Sequence, residues 1–188
     1  LPNKLTIGPF WLLPSVEALL LVGLTVSLRI PGVRWSPTHR TVALALIALV
    51  SLVNIVSLVL LCHELLQGGH KNATGHRLIL AGVVLWSTNV LLFGLWFWEL
   101  DRGGPVARRT EPEPPDFLFP QMSEPKLSRS WEPNLIDYLY VSFTNATAFS
   151  PTDAMPLSRT AKVLMAIQAL AALVTVGLVV ARAVNILS

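Results

Sequence analysis

Four long apolar stretches restrict this sequence more than any other feature. They extend over Phe10–Leu28, Thr41–Leu66, Leu78–Trp98 and Arg159–Leu187. A helix needs about 20 apolar residues to cross the hydrocarbon core of a bilayer, and each stretch reaches or approaches that length. With 53% hydrophobic and only 13% charged residues, the chain is also too apolar for an ordinary soluble domain. The sequence therefore predicts an all-α, multi-pass protein of the cell membrane with four transmembrane helices, in contact with the lipid bilayer.

The connecting segments divide the chain into two predicted units. Residues 1–77 hold the first two spans, and residues 78–188 form a second module. We expect this module to consist of an outer helix at 78–98, an aqueous Pro-rich linker at 99–133, a short helix with a loop at 134–157 and an inner helix at 158–187. Within the linker, Phe117–Phe119 is too short to cross the membrane, so we expect it to pack onto the protein or enter the interface.

The run from Asn134 to Thr147 has the pattern of a short amphipathic helix. It would be about 21 Å long, which is too short to cross the bilayer. The sequence therefore predicts that it enters the membrane part-way and that residues 148–157 lead the chain back out. Such a re-entrant hairpin is tolerated only where its backbone is buried in protein or lines an aqueous cavity.

Several residues of this region stand in the order and spacing of a pore helix, a filter and an inner helix: Tyr140, Ser142, Ala146, Thr147, Asp153, Pro156 and Lys162. In these residues the chain, over positions 80–188, resembles the pore-loop cation channels typified by potassium channels. The resemblance implies a homo-oligomer, a tetramer in that family, around a cation pathway. The sequence is also similar to uncharacterised bacterial multi-span membrane proteins that end in a like Ser-Phe-Thr…Asp hairpin and helix.

The resemblance also implies a set of site residues. The ion pathway or filter-like positions would be Thr144, Asn145, Thr147, Ala148, Phe149, Ser150, Pro151, Thr152 and Asp153, and the inner-helix lining or hinge positions would be Gln168, Ala172 and Gly177. A potassium filter presents backbone carbonyls to the ion, and its glycines adopt angles that other residues reach only at a cost. Ser150 and Thr152 occupy those glycine positions here, and Pro151 fixes its own φ. We therefore expect a filter that is not of the potassium type, passing monovalent cations or a less selective set.

Simpler roles for the same residues remain open. Asp153 would be either a carboxylate at one mouth of the pathway or a cap for the turn before the last helix, and Ser158 is expected to cap that helix. Gln168 would either line a pore or bond between helices. The hairpin as a whole has the alternative function of packing, lipid binding or partner binding in a non-conducting protein.

Polar residues also occur in the middle of the second and third predicted spans: Asn54, Ser57, Ser87, Thr88 and Asn89. Side chains of this kind usually form hydrogen bonds between membrane helices. We therefore expect them to join neighbouring spans.

The residue types exclude several other classes of function. The single cysteine, Cys62, rules out an intramolecular disulfide and a thiolate metal cluster. No nucleophile motif, paired histidine ligands or phosphate-binding loop occurs, so we expect no enzyme activity, no metal site and no cofactor. The basic residues are scattered among the loops, which gives no indication of nucleic-acid binding. The resemblance places both termini in the cytoplasm, whereas the arginines of loop 29–40 favour the opposite orientation.

Overall fold

The computed structural model describes residues 37–66, 75–110, 113–124, 126, 131–147 and 153–187. Within these ranges the chain is mostly helical. The helices are α1 (Pro37–Leu66), α2 (Gly75–Leu100), α3 (Ala107–Thr110), α4 (Pro120–Ser123), α5 (Leu135–Thr147) and α6 (Arg159–Leu187). A 3-10 turn at Asp101–Gly103 follows α2, and two short strands, β1 (Phe117–Leu118) and β2 (Met155–Pro156), complete the described elements.

Three of the described helices are long and apolar enough to cross a membrane. The apolar segments are Arg40–His63 in α1, Ile79–Gly103 in and just after α2, and Arg159–Ala181 in α6. They coincide with the second, third and fourth predicted stretches, confirm that these are long apolar helices, and are consistent with a membrane protein. The first predicted span, Phe10–Leu28, lies outside the described residues.

Helices α1 and α2 bury stripes of residues that recur at alternating intervals of four and three. The stripe of α1 comprises Ala43, Ile47, Val50, Asn54, Ser57 and Leu61, and that of α2 comprises Ala81, Leu85, Thr88, Leu92, Leu95 and Glu99. This spacing keeps one face of each helix towards its neighbour. The indole Nε1 of Trp96 donates to Ser51 Oγ at 3.0 Å, which sets the antiparallel register of the pair.

The opposite face of α2 packs against α5 and α6, and glycines allow the close approach. A Cβ at Gly94 would lie 2.6 Å from Leu139 Cδ2 and 3.2 Å from Leu139 Cα in α5. A Cβ at Gly82 would clash with Val179 in α6. Helix α2 therefore approaches α5 at Gly94 and α6 at Gly82 at distances that only a residue without a side chain permits.

The described part of the linker after α2 packs against the protein, unlike the aqueous segment that the sequence predicts. Phe117 and Phe119 are buried, and the ring of Phe117 lies 5.1 Å from that of Phe97 in α2. Strand β1 pairs antiparallel with β2, with Phe117 opposite Pro156. The prediction that this segment packs onto the protein is confirmed, and the pairing ties the linker to the chain just before α6.

The last helix begins as the sequence predicts. The backbone N–H of Ala161 donates to Ser158 Oγ at 3.1 Å, so Ser158 is the N-cap of α6. Asp153 lies further from the helix start, in a bend before β2.

Candidate functional site around helix α5

Helix α5 begins with a reciprocal cap. The side-chain oxygen Oδ1 of Asn134 accepts from the N–H of Ile136 at 2.8 Å, and Asp137 Oδ2 accepts from the N–H of Asn134 at 2.7 Å. This arrangement is the capping box, here with Asn and Asp. The predicted start at Asn134 is thus the N-cap, and the first helical residue is Leu135.

A cluster of four charged residues and one tyrosine fixes the start of α5 to the end of α2. We call it the Asp101 cluster: Asp101, Arg102, Arg108, Asp116 and Tyr138. The Tyr138 hydroxyl donates to Asp101 Oδ2 at 2.5 Å, and the Asp116 N–H donates to Asp101 Oδ1 at 2.7 Å. Both Asp101 and Tyr138 are fully buried. The carboxylate of Asp101 therefore joins the end of α2, the linker and α5.

Arg108 balances the charge of this cluster. Its Nη1 lies 3.8 Å from Asp101 Oδ2 and donates to the carbonyls of Trp98 at 2.7 Å and Asp101 at 3.1 Å. Its guanidinium lies 5.0 Å from the centroid of the Tyr138 ring, within the range of a cation–π contact. The arginine thus also binds the carbonyl of Trp98 near the end of α2 and that of Asp101 in the following turn, which accepts from the Gly104 N–H as well.

Burial governs the protonation of the tyrosine and the arginine. It raises the pKa of the Tyr138 hydroxyl above its ordinary value, although the positive charge of Arg108 acts in the opposite direction. Burial also lowers the pKa of Arg108, and the negative charge of Asp101 acts in the opposite direction by favouring the guanidinium. Tyr138 therefore remains a neutral hydrogen-bond donor at physiological pH, so the cluster is suited to holding α5 in place.

The turn between α2 and this cluster requires unusual backbone angles. Arg102, Gly103 and Gly104 have positive φ values of 50°, 74° and 99°. Glycine adopts this region without the penalty that a Cβ brings, whereas Arg102 adopts it at a cost. The Arg102 N–H donates to Asp116 Oδ2 at 3.0 Å, which helps to hold that conformation.

A second group of polar contacts holds the middle of α5 against both long helices. We call it the Gln168 network: Ser142, Asn145 and Gln168. Gln168 Nε2 donates to the carbonyl and the Oγ of Ser142 at 2.9 and 2.6 Å, and its Oε1 accepts from Asn145 Nδ2 at 2.8 Å. Asn145 Nδ2 also donates to the Met165 carbonyl at 2.9 Å, and Ser142 Oγ donates to the Val90 carbonyl at 2.6 Å.

This network places two of the predicted site residues in contact. Gln168 is fully buried, and within the described chain it bonds between α5 and α6. Ala172, also predicted from the resemblance, is buried in a small cluster with Val90 and Ala146. Gly177 is exposed, and a Cβ there would meet nothing within 4 Å.

The predicted filter residues fall partly within the described chain. Thr144 and Thr147 are half-buried near the end of α5. The Thr144 hydroxyl donates to the carbonyl of Tyr140 at 2.9 Å, and that of Thr147 donates to the carbonyl of Thr144 at 2.8 Å. Residues 148–152, that is Ala148, Phe149, Ser150, Pro151 and Thr152, lie outside the described residues.

Asp153 lies at a cleft of about 80 Å³ beside the first half of α5. The lining residues are Phe119, Pro120, Gln121, Asp137, Tyr140, Val141, Asp153 and Ala154. One of the two carboxylates there, that of Asp137, is engaged in the cap of α5. Among the described residues no group of three or more His, Cys, Asp or Glu side chains is arranged to hold a metal ion.

Sequence reasoning missed the Asp101 cluster. It placed Asp101 and Arg108 in an aqueous linker and gave Tyr138 no role. One signal was present, because Glu99, Asp101 and Arg102 follow directly after an apolar span, and charges at that position must be paired or reach water.

No family model, curated protein or solved structure matches this chain. The function of the region around α5 therefore has to be argued from its geometry.

Proposed function

We propose that this chain is a subunit of an oligomeric, multi-pass membrane protein that passes cations. In this proposal α5 and the loop after it form a re-entrant hairpin, and the hairpins of the assembly form a filter that is not of the potassium type. The observation that carries the proposal is the path of α5 along α2. Tyr138 contacts Asp101 at the end of the apolar segment of α2, whereas Trp86 Nε1 donates to the Ala146 carbonyl at 3.4 Å.

These contacts support a path of α5 part-way into the membrane beside α2. Asp101 and Trp86 are separated by about 22 Å along α2 at the rise of an α-helix. The apolar segment of α2 extends over Ile79–Gly103, so Trp86 lies beyond its middle. At the other end of the hairpin, Asp153 lines a cleft with Asp137 and Tyr140 of the first half of α5. The position of Asp153 supports a hairpin that would return to the level at which α5 begins.

The deep end of α5 offers oxygen atoms to a cation. The hydroxyl protons of Thr144 and Thr147 are donated to helix carbonyls, so the remaining lone pairs on both oxygens are free to accept. The C-terminal end of a helix also carries a partial negative charge. Ser150 and Thr152 in the following loop would add oxygens, and Asp153 would add a carboxylate ring where the hairpin emerges.

Flux measurements on the purified protein in lipid vesicles test this proposal. We expect the wild type to carry monovalent cations, Asp153→Asn to lower the flux by about tenfold through loss of local negative potential, and Ser150→Gly to change the selectivity. Glu113→Gln, an exposed linker carboxylate, is the matched control and should leave the flux unchanged. Vesicles that are silent at every voltage and pH would contradict cation conduction.

A second candidate function is a non-conducting membrane protein whose hairpin serves packing or the binding of lipid or a partner. The Gln168 network favours it, because two of the predicted pathway residues, Asn145 and Gln168, are bonded to each other within one chain. A fourfold assembly with an open axial path would support conduction, whereas a monomeric protein in detergent would support this alternative.

A further inference from the structure

Four polar side chains are buried between α1 and α2, away from the site around α5. Asn54, Ser57, Thr88 and Asn89 are 7%, 0%, 0% and 5% exposed. One side-chain atom of each has no hydrogen-bond partner in the described part of the chain: Asn54 Nδ2, Ser57 Oγ, Thr88 Oγ1 and Asn89 Oδ1. We call this group the polar seam.

The register of the two helices brings these residues within about one and a half helical turns of one another. Ser51 lies beside Trp96, and the two helices are antiparallel. Six residues further along α1, Ser57 therefore lies beside residue 90 of α2, between Thr88 and Leu92 of the facing stripe. Asn54 is one turn away on the same stripe as Ser57. The apolar segments extend over Arg40–His63 and Ile79–Gly103, so the polar seam lies near the middle of both.

The hydroxyl groups of the polar seam differ from others on the long helices. Ser51, Ser87 and Thr175 each donate to the carbonyl four residues earlier, at 2.7, 2.9 and 2.8 Å. This local bond satisfies a hydroxyl inside a membrane helix. Ser57 and Thr88 do not make it, although they are more deeply buried, so their hydrogen-bonding capacity remains in the seam.

The donors and acceptors without partners in the polar seam indicate what kind of ligand it binds. A buried polar group without a partner is destabilising, so a ligand that satisfied several of them would be retained. Asn54 Nδ2 is only a donor and Asn89 Oδ1 is only an acceptor, while the two hydroxyls can be either. A cation would face the amide donor of Asn54, whereas water donates and accepts. We infer that the polar seam binds ordered water in the middle of the membrane.

Water-edited solid-state NMR on the full chain in lipid bilayers tests this inference, because it follows magnetisation from water protons to side-chain amides. We expect the Asn54 amide signal to build up several times faster than that of Asn145. Asn145 is a matched control, since its Nδ2 already donates to Met165 and Gln168. Thr88→Val, which replaces a hydroxyl by a methyl of similar size, should slow the build-up at Asn54 and leave Asn145 unchanged.

Two results would overturn the inference. One is a build-up at Asn54 in the wild type as slow as at Asn145, which needs no variant to fold. The other is a through-bond coupling from the Asn54 amide to a protein carbonyl, which would show that a protein group satisfies it. Neither result depends on whether the protein conducts ions.

Discussion

Helix α2 buries polar groups on two faces, and the two faces differ in how those groups are partnered. Towards α5 and α6, the Val90 carbonyl, Ser142, Asn145 and Gln168 are joined by hydrogen bonds of 2.6–2.9 Å. Towards α1, atoms of Thr88 and Asn89 have no partner among the described residues.

This difference separates two uses of polarity inside a membrane protein. A satisfied network fixes one arrangement of helices, because breaking it leaves several buried groups without partners. An unsatisfied buried group is retained at a cost, which is consistent with our inference that the polar seam binds water. The face towards α5 is thus the one that hydrogen bonds hold in a single arrangement.

The largest effect should come from removing the carboxylate that joins α2 to α5. We expect Asp101→Ala to lower the free energy of unfolding by about 3–5 kcal/mol, because it leaves the buried Arg108 without its partner and Tyr138 without its acceptor. Denaturant titration in detergent micelles measures this. Glu113→Ala is the exposed control, and an equal loss in both variants would contradict the role of the Asp101 cluster.

Breaking the Gln168 network should have the next largest effect. Gln168→Leu removes the bonds from Gln168 to Ser142 and Asn145, although Ser142 keeps its bond to Val90 and Asn145 its bond to Met165. We expect a loss of about 2–3 kcal/mol in the free energy of unfolding. The matched change on the other face of α2 is Thr88→Val, with an expected loss below about 1 kcal/mol because that hydroxyl has no partner among the described residues. Similar losses in the two variants would remove the distinction between the faces.

The close packing of α5 on α2 provides a third test. Gly94→Ala should destabilise the protein by about 1–3 kcal/mol, since the new Cβ would lie 3.2 Å from the Leu139 backbone. Gly177→Ala, with nothing within 4 Å, should instead stabilise α6 by up to about 1 kcal/mol, the difference in helix propensity. Thermal unfolding of both variants measures the two shifts, and a stabilised Gly94→Ala variant would contradict this packing.

The smallest expected effect is a dependence on alkaline pH. The pKa of Tyr138 is raised in the folded state. The contribution of Tyr138 to the free energy of unfolding is therefore complete below the ordinary tyrosine pKa of about 10, and it is lost as the pH rises from there towards the pKa of the folded state. Above pH 10 the free energy of unfolding should fall by up to about 1.4 kcal/mol per pH unit.

The only other tyrosine, the half-exposed Tyr140, provides the control for this measurement. Tyr138→Phe should be less stable than the wild type at pH 8 but should lose the alkaline slope, whereas Tyr140→Phe should keep the slope. An unchanged slope in Tyr138→Phe would show that another group titrates.

Local features of the chain were predictable where a short stretch of residues is sufficient to set them. The sequence predicted the span ending at Leu187, the short helix ending at Thr147 and the cap at Ser158, since run length, amphipathic pattern and capping act within a few residues. The bonding of Asn54, Ser57, Thr88 and Asn89 between helices was also predicted, but the named atoms of these residues have no partner in the described chain.

The sequence alone thus determined that apolar helices of membrane-spanning length form and that a short helix lies between the last two, because the hydrophobic effect and helix propensity depend on composition and periodicity. Only the tertiary structure decided that Asp101 meets Tyr138 across 37 residues and that Gln168 turns towards Ser142 rather than outward. Those choices depend on which faces come together. Burial then selects for each polar group the partner that offsets its loss of water.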